Sequence, residues 1–200
     1  MNEQTRPPAP ATPGVRCPES VMPTGIRFVL AQTSLGTGLA AASPTGICWL
    51  ALGDHRHALL SSLLRRFPDA AETRSAAGDL LGRALAAVEA PGQPTGLPLD
   101  LRGTPFQQRV WAQLRRIPAG SVVTYAELAR RVGQPRACRA VAQACGANPV
   151  GILVPCHRVV ASDGSPGGFG FGVGRKLELL RREGVALQTS AAQTSGSRSP

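Results

Sequence analysis

The residues best suited to chemistry form the run Pro155-Cys156-His157-Arg158. A thiol beside an imidazole and a guanidinium lies where positive charge or a base lowers its pKa, and the thiolate is the nucleophilic form. Cys156 is therefore the best nucleophile in the chain. An inert role stays open at this point, because adjacent residues of a strand point to opposite faces and buried, unreactive cysteines are common.

Three predicted helices and a short strand lead up to this run. Thr104 followed by Pro105 is typical of an N-cap with proline at the first helical position. Apolar residues then follow at helical spacing: Phe106, Val110, Leu114 and Ile117. The sequence Thr124-x-x-Glu127 is a capping box that predicts a second helix, extending through Arg131.

The third predicted helix runs from Arg136 to Ala147, is mostly alanine, and ends before Asn148-Pro149. A helix, a short turn and a small-residue helix are typical of a helix-turn-helix, although two ordinary packed helices give the same pattern. The apolar run Gly151 to Val154 predicts a buried strand that delivers Cys156.

Positive charge is concentrated around these helices. The chain has 22 basic and 12 acidic residues, and residues 102–158 hold nine arginines against Glu127 alone. Such a block can bind phosphates in a salt-dependent way. The alternative is a coding bias of a GC-rich genome, since Lys176 is the only lysine.

The first half of the chain predicts a small antiparallel meander followed by two helices. The predicted strands are Ile26 to Ala31, Leu39 to Ala42 and Gly46 to Leu52, and the helices are His55 to Phe67 and Ala76 to Ala90. Composition divides the chain into a disordered tail (1–24), a first domain (25–90), a linker (91–101), a second domain (102–186) and another disordered tail (187–200).

Several classes of protein are excluded or disfavoured. No apolar run approaches the roughly 20 residues that span a bilayer, and the polar N-terminus is unlike a secretory signal, so we expect a cytoplasmic protein. Five cysteines without a C-x-x-C pair disfavour a disulfide framework. His55 and His57 have no further ligands at suitable spacing, so no metal site is predicted.

The wider pattern resembles the O6-alkylguanine-DNA alkyltransferase family, most of all its bacterial adaptive-response (Ada) members. The resemblance rests on Arg139-Ala140-Val141, Asn148-Pro149, Pro155-Cys156-His157-Arg158-Val159, a glycine-rich loop, and Arg175-Lys176-x-x-Leu179-Leu180-x-x-Glu183-Gly184. The resemblance extends from about Ile26 to Gly184, and it is dense after Leu97 and loose before it. It implies an α+β fold, with a small ribonuclease-H-like N-terminal sheet domain and a helical, winged-helix-like DNA-binding domain.

The resemblance also implies an activity, that of a methylated-DNA–[protein]-cysteine S-methyltransferase. Such proteins repair DNA by moving an alkyl group from O6 of guanine, less readily from O4 of thymine, onto their own cysteine, once per molecule and without a cofactor. Cys156 would be the acceptor, His157 the base acting through a water, and Glu183 the residue that orients the imidazole. Tyr125 would donate a proton to the departing base, and Asn148 would hold the turn before the active-site strand.

The partner implied by the resemblance is double-stranded DNA with alkylated bases, bound through the minor groove by a monomer. Arg139 would fill the space left by a flipped nucleotide. The other implied DNA contacts are Arg136, Ala137, Ala140, Gln143, Ala144 and Thr124. The implied base pocket consists of Pro155, Val159, Phe169 and Gly170, and the loop Gly167 to Gly172 carries Phe169 and Phe171 where Ada-like members have larger or charged residues.

Two alternative functions remain at this stage. A non-enzymatic alkyltransferase-like protein would flag lesions for other pathways, but those relatives lack the acceptor cysteine. A helix-turn-helix transcription factor would place large polar side chains on its recognition helix and usually dimerise. The third predicted helix offers mainly alanine, Arg139 and Gln143.

Overall fold

A computed structural model describes residues 25–74 and 78–187 of the chain. Within these ranges, the α+β class predicted from the sequence is confirmed. The strands are β1 (Arg27–Thr33), β2 (Gly36–Ser43), β3 (Gly46–Gly53), β4 (Ala71–Glu72), β5 (Val123–Thr124) and β6 (Val159–Val160). The helices are α1 (Arg56–Arg66), α2 (Leu80–Ala86), α3 (Pro105–Leu114), α4 (Tyr125–Arg131), α5 (Cys138–Gly146) and α6 (Val173–Arg182). The predicted tail 1–24, and 188–200 of the predicted tail 187–200, lie outside the described residues.

The first half forms a four-stranded sheet in the order β3-β2-β1-β4. The predicted meander is present, because β1, β2 and β3 pair antiparallel in sequence, while β4 pairs parallel with β1. Side chains alternate across β2: Leu39 and Ala41 pack toward α1, whereas Ala40 and Ala42 pack on the other face. Both faces of this strand are therefore buried.

The outer edge of β3 is covered by two segments from later in the chain. The backbone of Ile47 donates to Pro98 O (2.8 Å) and accepts from Asp100 N (2.9 Å). Farther along the strand, Leu50 N donates to Pro149 O (2.9 Å) and Leu50 O accepts from Gly151 N (3.1 Å). The segment that leads to Cys156 is thus attached to the sheet by backbone hydrogen bonds.

Two predicted helices are shorter in the structure. Helix α2 starts at Leu80, where the Asp79 carboxylate accepts from Gly82 N (2.8 Å); the predicted start at Ala76 lies outside the described residues. Helix α5 starts at Cys138, with residue 137 as its N-cap, instead of Arg136.

The caps of α3 and α4 differ from each other. Thr104 caps α3 through a full capping box with Gln107, a partner that the sequence analysis did not name. The capping box predicted at Thr124 is only half formed: Thr124 accepts from Glu127 N (3.1 Å), but the Glu127 carboxylate pairs with Arg131 one turn later.

The predicted strand Gly151 to Val154 is wrong, because this segment is a tight turn. Val154 N donates to Val150 O (3.0 Å) and Leu153 N donates to Gly151 O (2.8 Å), so the chain reverses within five residues. Ile152 has φ of 72°, in the left-handed region that β-branched residues rarely adopt. An apolar run indicates that a segment is buried. A buried strand and a buried turn cannot be distinguished by that pattern alone.

One apolar core joins the sheet to the second half of the chain. It contains Leu50 and Leu52 of β3 together with Val110 and Trp111 of α3 and Val141 of α5. The Trp111 indole N–H also donates to Ala144 O (2.8 Å), which fixes α3 against α5. Among the described residues, no helix is long and apolar enough to cross a membrane.

Candidate active site

Cys156 lies on the wall of a cavity of about 360 Å³. The chain reaches it through the tight turn 150–154, and Cys156 opens a single 3-10 turn that continues through Arg158. The side chain is partly exposed, unlike the buried Cys145 on the same wall. The residues lining the cavity are Tyr125, Ala142, Cys145, Gly146, Cys156, Gly168, Phe169 and Gly170.

Asn148 holds both the turn and the thiol. Its Nδ2 donates to Val154 O (2.8 Å) and to Cys156 Sγ (3.2 Å), while its Oδ1 accepts from Val150 N (3.1 Å). Burial raises the pKa of the Cys156 thiol, and the hydrogen bond from Asn148 and the charge of Lys176 act in the opposite direction. The resting thiol is therefore protonated at neutral pH, and its reaction requires a base.

The imidazole of the next residue is buried and paired with a carboxylate 26 residues later. His157 Nε2 lies 2.9 Å from Glu183 Oε1, and both side chains are fully buried. Burial lowers the pKa of His157, and the charges of Arg158 and Lys176 act in the same direction, so the pKa stays below its ordinary value although the Glu183 carboxylate raises it. His157 is thus neutral at pH 7, with its Nε2–H donated to the acceptor-only carboxylate.

This tautomer leaves the lone pair on Nδ1 of His157. That buried atom has no hydrogen-bond partner among the described residues. Because buried ring nitrogens are usually paired, an unpartnered basic nitrogen one residue from a thiol is a functional candidate.

Arg158 supports the same carboxylate from its other side. Its Nε donates to Glu183 Oε2 and its Nη2 to Glu183 Oε1, each at 2.8 Å. Burial raises the pKa of Glu183, but hydrogen bonds from His157 and Arg158 outweigh it and lower the pKa to about 2. The carboxylate is therefore charged throughout the neutral range. The sequence analysis noted the Arg158 guanidinium only as a neighbour of the thiol.

Tyr125 places its ring on the cavity wall from the first residue of α4, directly after the Thr124 cap. Burial raises the pKa of its phenol, so the O–H remains protonated at neutral pH. The glycine-rich loop passes close to the ring, because a Cβ at Gly167 would lie 3.3 Å from Tyr125 Cε2. A protonated phenol in this position is suited to donate a proton into the cavity.

The two phenylalanines of that loop have different surroundings. Phe169 lines the cavity and meets the His157 ring edge-on, with ring centroids 6.4 Å apart. Phe171 packs against Gly151, where a Cβ would overlap its ring, and against the apolar core. Only Phe169 therefore shapes the cavity.

The structure brings two of the four predicted base-pocket residues to this cavity, Phe169 and Gly170. The Val159 side chain is fully buried in the core, and its carbonyl accepts from Lys176 Nζ. Pro155 lines a separate cavity beside the 91–95 segment. Two wall residues were not predicted from the sequence: Ala142 and Cys145, which lie three and six residues after Arg139 on the predicted third helix.

The predicted DNA contacts, on α5 and near it, divide into exposed and buried residues. Arg136, Arg139 and Gln143 are exposed, whereas residues 137 and 140 and the Thr124 cap are partly exposed. Ala144, which was also predicted to face DNA, is only 2% exposed and packs in the core. Its helical position is the reason, because it lies three residues from Val141 on the buried face of α5.

No cluster of three or more potential metal ligands occurs in residues 25–74 and 78–187. His55 and His57 are both exposed.

A family model described as 6-O-methylguanine DNA methyltransferase, DNA binding domain, matches residues 105–185. The bifunctional transcriptional activator/DNA repair enzyme Ada of Escherichia coli (strain K12) is 47% identical over 163 residues, which are 79% of this chain and 45% of that protein. The methylated-DNA–protein-cysteine methyltransferase of Shigella flexneri is 52% identical over 91 residues, 46% of this chain and 53% of that protein. The chain thus spans about half the length of these curated relatives.

Two solved structures from Mycobacterium tuberculosis are similar over most of their length. OGT in complex with DNA is 32% identical with a TM-score of 0.65, covering 78% of this chain and 92% of that chain. The O6-methylguanine methyltransferase is 31% identical with a TM-score of 0.66, covering 85% and 96%.

Proposed function

Because the chain belongs to the O6-methylguanine DNA methyltransferase family, we propose that it repairs DNA by transferring an alkyl group to Cys156. The donor is O6 of alkylguanine and, less readily, O4 of alkylthymine. The observation that carries this proposal is the partly exposed Cys156 thiol, held by Asn148 on a cavity wall beside the buried His157–Glu183 pair.

The chemistry begins with the removal of the thiol proton. His157 Nδ1 accepts that proton from Cys156 through a water, while Glu183 stabilises the imidazolium that forms. The thiolate attacks the alkyl carbon, a C–S bond forms, and the C–O6 bond breaks with its electron pair on the guanine. The Tyr125 O–H protonates the departing base, since an anionic purine is a poor leaving group.

The product explains why the protein acts once and needs no cofactor. A thioether on Cys156 is stable, and nothing in the proposed reaction removes the alkyl group from sulfur. The cavity of about 360 Å³ lies within the usual range of small-ligand sites, roughly 300–1,000 Å³. It is thus large enough for a single extruded base.

The proposed partner is double-stranded DNA, read through its minor groove by a monomer. Exposed Arg139 and Gln143 on α5, and Arg136 just before this helix, support this proposal, since arginine binds phosphates and enters narrow grooves. We propose that Arg139 occupies the stack when the nucleotide is flipped, and that residues 137 and 140 permit close approach.

We also propose a domain architecture for the chain, as the family resemblance implies. Residues 25–90 would form a ribonuclease-H-like domain and residues 102–186 a winged-helix-like domain with a helix-turn-helix, joined by the linker 91–101. The cytoplasmic location stays a prediction.

An intact-mass experiment tests the reaction. The protein is incubated with DNA containing one O6-methylguanine, and we expect a gain of one methyl group per chain, on the peptide that carries Cys156. Cys156→Ala is expected to gain none while still binding the DNA. Cys138→Ser, which changes a thiol on α5 away from the cavity wall, is the matched control and should react as the unchanged protein does. Methylation elsewhere, or more than one methyl per chain, would contradict the proposal.

A further inference from the structure

Lys176 is the only lysine of a chain that has 21 arginines. It lies in the first turn of α6, and its side chain is fully buried. Lysine and glutamate are rarely buried completely without a charged partner. The proposed reaction above does not use this residue.

The Lys176 ammonium joins two segments of the active site. Nζ donates to Val159 O at 2.5 Å and also donates to Pro166 O. These carbonyls bracket a turn that is closed by the hydrogen bond from Ala161 N to Ser165 O (3.0 Å). Cys156 lies three residues before the first carbonyl, and the cavity residue Gly168 lies two residues after the second. The Nζ atom of Lys176 thus links the segment that carries Cys156 to the loop that lines the cavity.

The charge of this group is poorly neutralised. Both hydrogen bonds go to backbone carbonyls, and within the described ranges no carboxylate lies within salt-bridge distance of Nζ. Burial lowers the pKa of Lys176 to about 8, and the Cys156 and Cys145 sulfurs act in the opposite direction. The amine is thus mostly protonated at pH 7.

The field of that charge reaches the reactive groups around it. The positive charge offsets part of the rise in pKa that burial causes at Cys156 and Cys145, and it adds to the lowering of the His157 pKa. In a poorly solvated interior, a charge acts on its neighbours more strongly than it does in water.

We propose that Lys176 is a positioning residue for the alkyl transfer, which holds the Cys156 segment against the cavity loop and stabilises the thiolate by its positive charge. The inference rests on the proposed role of Cys156 as the acceptor. An arginine at position 176 would not make the same contacts as lysine. Its planar guanidinium, with five donors, is larger than the compact ammonium and cannot converge on the two carbonyls in the same way.

The first test measures the rate at which iodoacetamide, a small neutral reagent, alkylates Cys156 in the peptide map as pH is varied. We expect Lys176→Met to react about tenfold more slowly at pH 7, with its profile displaced to higher pH, because an opposite charge nearby favours the thiolate. Lys176→Arg keeps the charge and is expected to recover part of the loss. Arg181→Met removes a positive charge from the exposed face of the same helix and is the matched control, with an unchanged profile.

A second test uses the unchanged protein and does not depend on whether a variant folds. Labelling with 13Cε-lysine gives one side-chain NMR signal, since the chain has one lysine. The signal is titrated before and after Cys156 is alkylated. We expect the midpoint to fall after alkylation, because a thioether cannot ionise to the thiolate whose negative charge raises the pKa of Lys176.

These results separate the inference from the proposed function. Neither test contains DNA, so a failure of methyl transfer with the expected iodoacetamide and NMR results would overturn only the proposed function. A Lys176→Met profile that matches the unchanged protein at every pH, or a lysine midpoint that is unaffected by alkylation, would overturn the role of Lys176.

Discussion

Glu183→Gln removes the buried charge on which His157 and Arg158 converge. The change keeps the size of the side chain, but it leaves the Arg158 guanidinium, only 9% exposed, without its counter-charge. Breaking one side of a buried ion pair is costly because the remaining charge stays desolvated. We therefore expect Glu183→Gln to lower the free energy of unfolding substantially.

The magnitude follows from the pKa of the carboxyl group. Burial raises the pKa of Glu183, but hydrogen bonds from His157 and Arg158 prevail and lower it from 4.5 to about 2. Each pKa unit corresponds to about 1.4 kcal/mol, so the charged form stabilises the fold by about 3 kcal/mol at pH 7.

The pH dependence has a definite sign. A carboxyl whose pKa is depressed in the folded protein contributes stability above its unfolded pKa, and this contribution is lost as pH falls through the folded value. The difference between the unchanged protein and Glu183→Gln is thus full above pH 4.5 and declines toward pH 2. Guanidinium unfolding at pH 7, 5, 4 and 3 would measure it.

Glu178→Gln is the matched control on the same helix. Glu178 also has a pKa of about 2, lowered by its hydrogen bonds to Arg181 and Arg182, but it lies at the surface. Exposed ion pairs contribute little, so we expect a loss well below that of Glu183→Gln. Equal losses in the two variants, or a Glu183→Gln loss that does not change with pH, would refute the reasoning.

Three further changes probe other contacts. Asn148→Leu removes the donor to Cys156 Sγ and Val154 O. We expect methyl transfer to be at least about tenfold slower in single-turnover assays, and an unchanged rate would contradict the role of Asn148. Arg139→Ala should slow repair of duplex DNA more than reaction with free O6-methylguanine, whereas equal losses would exclude a role in flipping. Trp111→Phe leaves Ala144 O without its donor and should lower the free energy of unfolding by about 1–3 kcal/mol in urea titrations, while a loss near zero would show that this bond is dispensable.

The sequence predicted most of the elements but not the turn that delivers the thiol. Caps and helical spacing located α3 and α4 because those signals act within one turn of the chain. The reversal at 150–154 depends on Asn148, whose side chain bonds both arms of the turn. The apolar residues of this segment do not themselves indicate that the Asn148 side chain forms these hydrogen bonds.

In the candidate site, too, some contacts followed from the sequence and others did not. The resemblance grouped Cys156, His157 and Glu183, and in the structure His157 Nε2 lies 2.9 Å from Glu183 Oε1. The second partner of Glu183, Arg158, and the burial of Lys176 were not predicted. Both depend on long-range packing of α6 against the 156–160 segment, and a basic residue in a basic chain gives no local signal that it will be enclosed.

The covered edge of β3 has a consequence for any attempt to produce the two halves separately. An uncovered strand offers a row of free N–H and C=O groups to which other polypeptides can add. Residues 98–100 and 149–151 occupy those groups at Ile47 and Leu50. A fragment ending before residue 98 would leave the backbone groups at this edge of β3 unpaired, and we expect it to self-associate more readily than the intact chain.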